Sequence, residues 1–216
     1  MTNPLPEPPL LVITDRATAA GPVEDIVAAA LRGGCRWLMW RDKESGRAVR
    51  ERSARQALAL CRAAGAVLTV NGDIDLARTL GAGGVHVQAA AEMAQARGVL
   101  GAGALIGVSC HSAAEVAAAA AAGADYATLS PIFLTDSKPG YGPAIGLTTL
   151  RTVCAATALP IVALAGIDEG NAGLCRAAGA RAVAVMGGVM RAADPEAVVA
   201  ALIHGMARPS RGRESC

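Results

Sequence analysis

The sequence predicts an α/β chain folded as a single (β/α)8 TIM barrel, and three observations carry that reading. Short apolar runs recur eight times, Ala-rich amphipathic stretches follow most of them, and those stretches repeatedly stop at a small residue and a glycine. The first run, Leu10–Thr14, is continuous rather than alternating, as expected of a strand buried on both faces of a parallel sheet. Pro22–Arg32 follows it as a helix, with Pro22 suited to the first turn because its φ is already fixed. Trp37–Trp40 and the helical stretch Arg50–Ala64 form the second unit, and Val67–Asn71 with Ile74–Leu80 the third. Gly84–Val87 and Leu105–Ser109 are the next two runs, and Ser112–Ala122 is the helix after the latter. Tyr126–Leu129 leads into a long loop, 131–146, before the helix Gly146–Ala156. Ile161–Leu164 with Asn171–Ala178, and Ala182–Met186 with Pro195–Met206, complete the set.

The stops are Gly34, Gly65, Gly81, Gly123 and Gly179, placed where a helix ends in a left-handed residue. No G-x-G-x-x-G follows the first run, which an open, doubly wound dinucleotide-binding sheet would carry. The expected boundaries are a disordered N-terminus over 1–9, a barrel domain over 10–207 and a flexible tail over 208–216.

Composition narrows the function classes. Of 216 residues, 53% are hydrophobic and 18% charged, enough for a sizeable core and against disorder. The net charge is +2 with Lys and Arg scattered, and aromatics make up 2%. That leaves neither a basic stripe nor a stacking platform for nucleic acid. MTNPLPEPPL lacks a cationic start followed by an apolar run, and Ala113–Ala122 is interrupted by Glu115 and too short to cross a bilayer. Six cysteines without a C-x-x-C pair read as buried thiols, so the expected setting is the reducing cytoplasm, away from membranes.

In a barrel the chemistry belongs to the C-terminal ends of the strands. Those ends supply Arg41 and Lys43, Asn71, Ser109, and Thr135 and Lys138 of the long loop. Three cations with hydroxyl and amide groups beside them predict a polyanion pocket. The last two strands end in Gly166 and in Met186, Gly187 and Gly188, where exposed backbone N–H groups can receive a phosphate. Candidates for proton transfer are His111, Cys110 and Asp136; His86 has a weaker claim, because its sequence neighbours are apolar.

These residues resemble the thiamine phosphate synthase and TenI-type proteins of thiamine biosynthesis. The similarity runs through LLVITDR (10–16), GGCRWLMWRDK (33–43), VNGDIDLA (70–77), GAGGVHV (81–87), IGVSCHS (106–112), GADYATLSPIFLTDSKPGYG (123–142), PIVALAGI (160–167) and AVAVMGGV (182–189). It implies a pyrophosphate site at Arg41, Lys43, Asn71, Ser109 and Lys138 and a thiazole phosphate site at Gly166, Gly187 and Gly188. Small phosphorylated thiazoles and pyrimidine pyrophosphates are the implied ligands.

Three departures bear on activity. Synthases carry Mg2+-binding aspartates where this chain has Gly72 and, after strand four, Ala91; Asp73 and Glu92 stand one place late. The glutamine expected against the pyrimidine is Met39. Without the two acids a metal loses its carboxylate anchors, so no cofactor is expected unless the chain is a synthase using Mg2+. The reading that follows is a metal-free, TenI-type thiazole tautomerase, with thiamine phosphate synthase as the alternative and a non-catalytic phosphate-ligand-binding regulator as the next. The TenI-type histidine, however, would fall at Pro131, the residue that synthases carry.

Overall fold

The computed structural model describes residues 3–135 and 143–207; Asp136, Lys138 and the tail 208–216 lie outside the described residues. Eight parallel strands close in sequence order: β1 (Leu10–Ile13), β2 (Trp37–Trp40), β3 (Val67–Asn71), β4 (Gly84–Val87), β5 (Leu105–Cys110), β6 (Tyr126–Leu129), β7 (Ile161–Leu164) and β8 (Ala182–Val185). Closure comes from β8 pairing with β1, with Val185 opposite Val12. The helices around the barrel are α1 (Val23–Arg32), α2 (Arg47–Ala63), α3 (Ile74–Leu80), α4 (Met93–Leu100), α5 (Ala113–Ala121), α6 (Gly146–Ala155), α7 (Ala172–Ala177), α8 (Gly187–Met190) and α9 (Pro195–Ala207). None of them is long and apolar enough to cross a membrane. The predicted (β/α)8 barrel is present, and the helices at 93–100 and 187–190 are additions to the sequence reading.

Strand alternation divides the core in two. Outward side chains such as Leu10, Val12, Leu38, Val85 and Ile106 pack under the helices. Inward ones, Leu11, Ile13, Trp37, Met39, Leu105, Tyr126, Val162, Ala182 and Ala184, fill the lumen. Ala-rich helices let the outer ring sit close, while two aromatics, Trp37 and Tyr126, are the largest side chains inside. Trp37 meets Tyr126 edge-on, with centroids 4.9 Å apart and planes at 82°. Gly107 makes room for that ring, because a Cβ there would lie closer than 3.0 Å to three Tyr126 ring carbons.

The expectation of disorder over 1–9 is corrected for the described residues 3–9. Asn3 donates from its backbone N–H to Asp125 Oδ1 at 2.8 Å and from its amide to the carbonyls of Ala102 and Ala104 at 3.0 and 2.9 Å. Leu5 packs against the lumen cluster. Asp125 is 1% exposed and also accepts from Arg97 and from the Ile106 backbone N–H, each at 2.8 Å. A segment of Pro and polar residues reads as disordered in isolation; its order here comes from capping the N-terminal end of the barrel.

Candidate functional site

The first two strands meet at the barrel mouth through crossed charges. Thr14 Oγ1 accepts the Arg41 N–H at 2.8 Å and donates to the Arg41 carbonyl at 2.9 Å. Asp15 pairs with the Arg41 guanidinium, and its other oxygen accepts from Thr18 at 2.9 Å. In the opposite sense, Arg16 Nε donates to Asp42 Oδ2 at 3.0 Å while its terminal nitrogen reaches Ser53 at 3.2 Å. Burial alone would raise the Asp42 pKa; hydrogen bonds from Arg16 and Ser45, with the Arg16 charge, outweigh it and hold the carboxyl below its usual range. The loop after β2 is thus pinned at Asp42, whose carboxylate also takes the N–H groups of Glu44 and Ser45. Lys43, between these tethered residues, is exposed.

Beside that loop lies a cavity of about 530 Å3, open at the ends of β2, β3 and β4. Lys43, Asn71, Gly72, Asp73, Gln88 and Glu92 are among its walls. Of the predicted anion-binding set it therefore gathers Lys43 and Asn71; Arg41 and Ser109 are not among its lining residues. Gly72 has φ 72° and donates its N–H to the His86 carbonyl at 2.8 Å. The two carboxylates that stand one place late are already engaged. Asp73 caps α3 by accepting the Leu76 N–H at 2.8 Å and faces Arg50 at 3.6 Å. Glu92 accepts the N–H groups of Gln88 and Ala89 at 3.0 and 2.9 Å. Among the described residues no three His, Cys, Asp or Glu side chains converge on one point. At Gly72 and Ala91 themselves no carboxylate is present, and Asp73 and Glu92 beside them are engaged with backbone N–H groups.

Sequence reasoning undervalued His86. Its ring is 3% exposed, in the lumen, with Nε2 3.0 Å from Ser109 Oγ and 3.4 Å from Thr128 Oγ1, and Nδ1 3.2 Å from the Tyr126 hydroxyl. Burial pushes its pKa down to about 3, so the imidazole is neutral. Ser109 stands between this ring and the mouth, half-buried. The proton-transfer candidacy of Cys110 is corrected. β5 runs one residue further than expected, so Cys110 faces the outer core, fully buried. Burial, with Glu115 nearby, pushes its thiol up to about 11. His111 is exposed, and its Nδ1 lies 2.9 Å from the Ser130 carbonyl oxygen, which anchors the ring to the end of β6.

At the far side of the mouth the loop after β6 presses on the end of β7. Phe133 donates its N–H to the Ala165 carbonyl at 3.2 Å, and a Cβ at Gly166 would lie 2.6 Å from Phe133 Cβ. Loop packing therefore accounts for the glycine at 166. Ala165 itself has φ 81°. At the end of β8, Met186 precedes α8 and its carbonyl accepts from Val189 and Met190, Gly187 is buried, and Gly188 is exposed with open space where a Cβ would be. Of the predicted phosphate-binding glycines, only Gly188 combines exposure with an open Cα face. Thr135, half-buried, is the last described residue before the segment containing Asp136 and Lys138.

A family model described as Thiamine monophosphate synthase matches residues 10–189. The Thiamine-phosphate synthase of Roseiflexus castenholzii is 40% identical over 208 residues, 94% of this chain and 91% of that protein. The Thiamine biosynthesis bifunctional protein ThiM/ThiE of Symbiobacterium thermophilum is 40% identical over 185 residues, 85% of this chain, which spans 38% of that longer protein. Among solved structures, thiamine phosphate pyrophosphorylase from Pyrococcus furiosus superposes with a TM-score of 0.81 at 29% identity, over 91% of this chain and 94% of that one.

Proposed function

The chain belongs to the thiamine monophosphate synthase family, and from that premise we propose that it is a synthase, joining a hydroxymethylpyrimidine pyrophosphate to a thiazole phosphate. The observation that carries the proposal is 40% sequence identity, along nearly the full length of both chains, to a protein named Thiamine-phosphate synthase. Pro131 supports it as well, since the resemblance places a TenI-type catalytic histidine there. The tautomerase reading that Gly72 and Ala91 favoured gains no support: Cys110 is buried with a raised pKa, and His111 is tied to the Ser130 carbonyl.

In this reaction the C–O bond between the pyrimidine methylene and pyrophosphate breaks, and its electron pair leaves with pyrophosphate. The thiazole nitrogen then gives its lone pair to the methylene carbon, so a C–N bond replaces the C–O bond. Departure is accelerated by fixed positive charge at the leaving oxygens. Arg41, held in place by Asp15, and Lys43, on the pinned loop, supply it, with the neutral Asn71 amide as a hydrogen-bond donor beside them; Lys138 joins them on the strength of the resemblance. Thiazole phosphate is assigned to the Gly166 and Met186–Gly188 rim, with Gly188 as its open backbone contact. Met39, 1% exposed in the lumen, makes the floor beneath the pyrimidine apolar. Free buried thiols suit the reducing cytoplasm.

The test is formation of thiamine phosphate from the two substrates, with Mg2+ and with chelator. Product in the presence of substrate pair and not in the Arg41→Ala variant is the expected result. No product from the wild-type protein under either condition would overturn the reading.

A further inference from the structure

The cavity at the ends of β2, β3 and β4 carries a cation that no strand end supplies. Arg50 lies at the start of α2, where its N–H closes the first turn on the Gly46 carbonyl at 3.0 Å, and it lines the cavity with Lys43 and Asn71. This is an unfavourable place for an arginine. The helix dipole already puts partial positive charge there, and the first turn has neither an acid nor a side-chain cap to offset it. Hydrogen bonding does not explain the guanidinium either. Among the described residues its ion-pair partner is Asp73, at 3.6 Å, beyond hydrogen-bond range. The two side chains are 33% and 35% exposed, so solvent screens the pair and it adds little to stability. By contrast Arg41 and Arg16, nearer the barrel axis, are engaged by Asp15 and Asp42. A residue that breaks a local rule without a compensating contact inside the chain is a candidate for contact outside it.

We propose that Arg50 is a further pyrophosphate-binding residue, whose guanidinium leaves Asp73 to hold oxygens of the pyrophosphate carried by the pyrimidine substrate. The identity of the ligand rests on the synthase reading and deepens it; the anion contact rests on the cavity. A planar fork of N–H donors meets a phosphate through parallel hydrogen bonds, which a lysine ammonium cannot match. The acids of the same wall are answered within the chain: Asp42 by Arg16 and loop N–H groups, Asp73 by the Leu76 N–H, and Glu92 by the N–H groups of Gln88 and Ala89. Asp75 is exposed in the first turn of α3.

Calorimetric titration of the full chain with inorganic pyrophosphate, in chelator, tests the contact. Arg50→Met keeps the apolar stem and should weaken pyrophosphate about tenfold, with Arg50→Lys in between. Asp73→Asn keeps an oxygen for the Leu76 N–H and should leave affinity equal or tighter, because Arg50 then has no rival acceptor. A pair that only ties α2 to α3 would make both variants lose affinity alike. Arg47→Ala, exposed at the same helix end and not among the cavity's lining residues, should change affinity by less than about twofold. In turnover, Arg50→Met should raise KM for the pyrimidine pyrophosphate and leave KM for the thiazole phosphate unchanged. Unchanged pyrophosphate affinity in Arg50→Met, equal losses in Arg50→Met and Asp73→Asn, or an Arg47→Ala loss as large as that of Arg50→Met would each overturn the proposal. A wild-type protein that makes no product yet binds pyrophosphate through Arg50 would overturn the synthase reading and leave the anion contact standing.

Discussion

Replacing Gly107 with alanine tests whether the lumen is packed as tightly as the structure requires. The added methyl would lie closer than 3.0 Å to three carbons of the Tyr126 ring, a separation real side chains do not adopt. The ring has nowhere to retreat. Trp37 meets it edge-on at 4.9 Å on one side, and His86 stacks on it at 5.5 Å with planes 25° apart. Relief must come from shifting the ring or the β5 backbone. Overpacking a filled core costs about 1–3 kcal/mol, and a clash against three atoms of a rigid ring belongs at the top of that range, about 3 kcal/mol. For a chain of this size that is about 6–12 °C in Tm. Urea denaturation followed by tryptophan fluorescence reads both the midpoint and the environment of Trp37, the ring's neighbour. Adding Tyr126→Leu to Gly107→Ala should recover more than half of the loss, because the double variant removes the clashing atoms. A Gly107→Ala loss below about 0.5 kcal/mol, the scale of an ordinary surface change, would refute the packing argument.

Other expectations concern the site. Asp15→Asn should lower kcat/KM about tenfold by loosening the Arg41 guanidinium, and combining it with Arg41→Ala should add little further; additive losses would separate the two residues. His86 has a folded pKa near 3 against 6.5 for the free group. In that window the unfolded chain binds a proton that the native chain does not, so stability falls on acidification from 6.5 toward 3, by at most about 1.4 kcal/mol per pH unit. Denaturation midpoints across this range should show a shallower acid limb for His86→Gln, and an identical slope would refute the assignment. Cys110, buried and with its thiol near 11, should resist alkylation in the native protein, and Cys110→Ala should keep turnover within about threefold; a loss of a hundredfold or more would restore its catalytic candidacy.

The barrel was legible because its strands are short, apolar and buried on both faces, leaving little alternative to β2 at Trp37–Trp40 or β7 at Ile161–Leu164. The helix at Met93–Leu100 was harder, since Gly98 and a weak apolar stripe blur its period. Polar residues at strand ends were also legible, and Lys43 and Asn71 do share a cavity. His86 escaped for a physical reason. Along the chain its neighbours are Val85 and Val87, which face the outer core, while its real partners Ser109, Tyr126 and Thr128 arrive from β5 and β6. Reading along one strand is blind to the neighbours that closure of the barrel brings across it. Cys110 failed on the same parity, one extra strand residue being enough to turn a side chain from mouth to helix layer.

Gly72 also bears on how such a site changes over generations. Its backbone sits at φ 72°, where a side chain costs about 1 kcal/mol or more and aspartate is tolerated rather than favoured. An acid placed at this position in this chain would therefore stand against the local backbone preference. Glycine at this position sits in the turn without that strain. The route back is uphill: Gly72→Asp would reinstate that strain before any partner acid at Ala91 existed to repay it with bound metal. Regaining the two acids would thus take two substitutions, the first of them strained at the Gly72 backbone before the second could contribute.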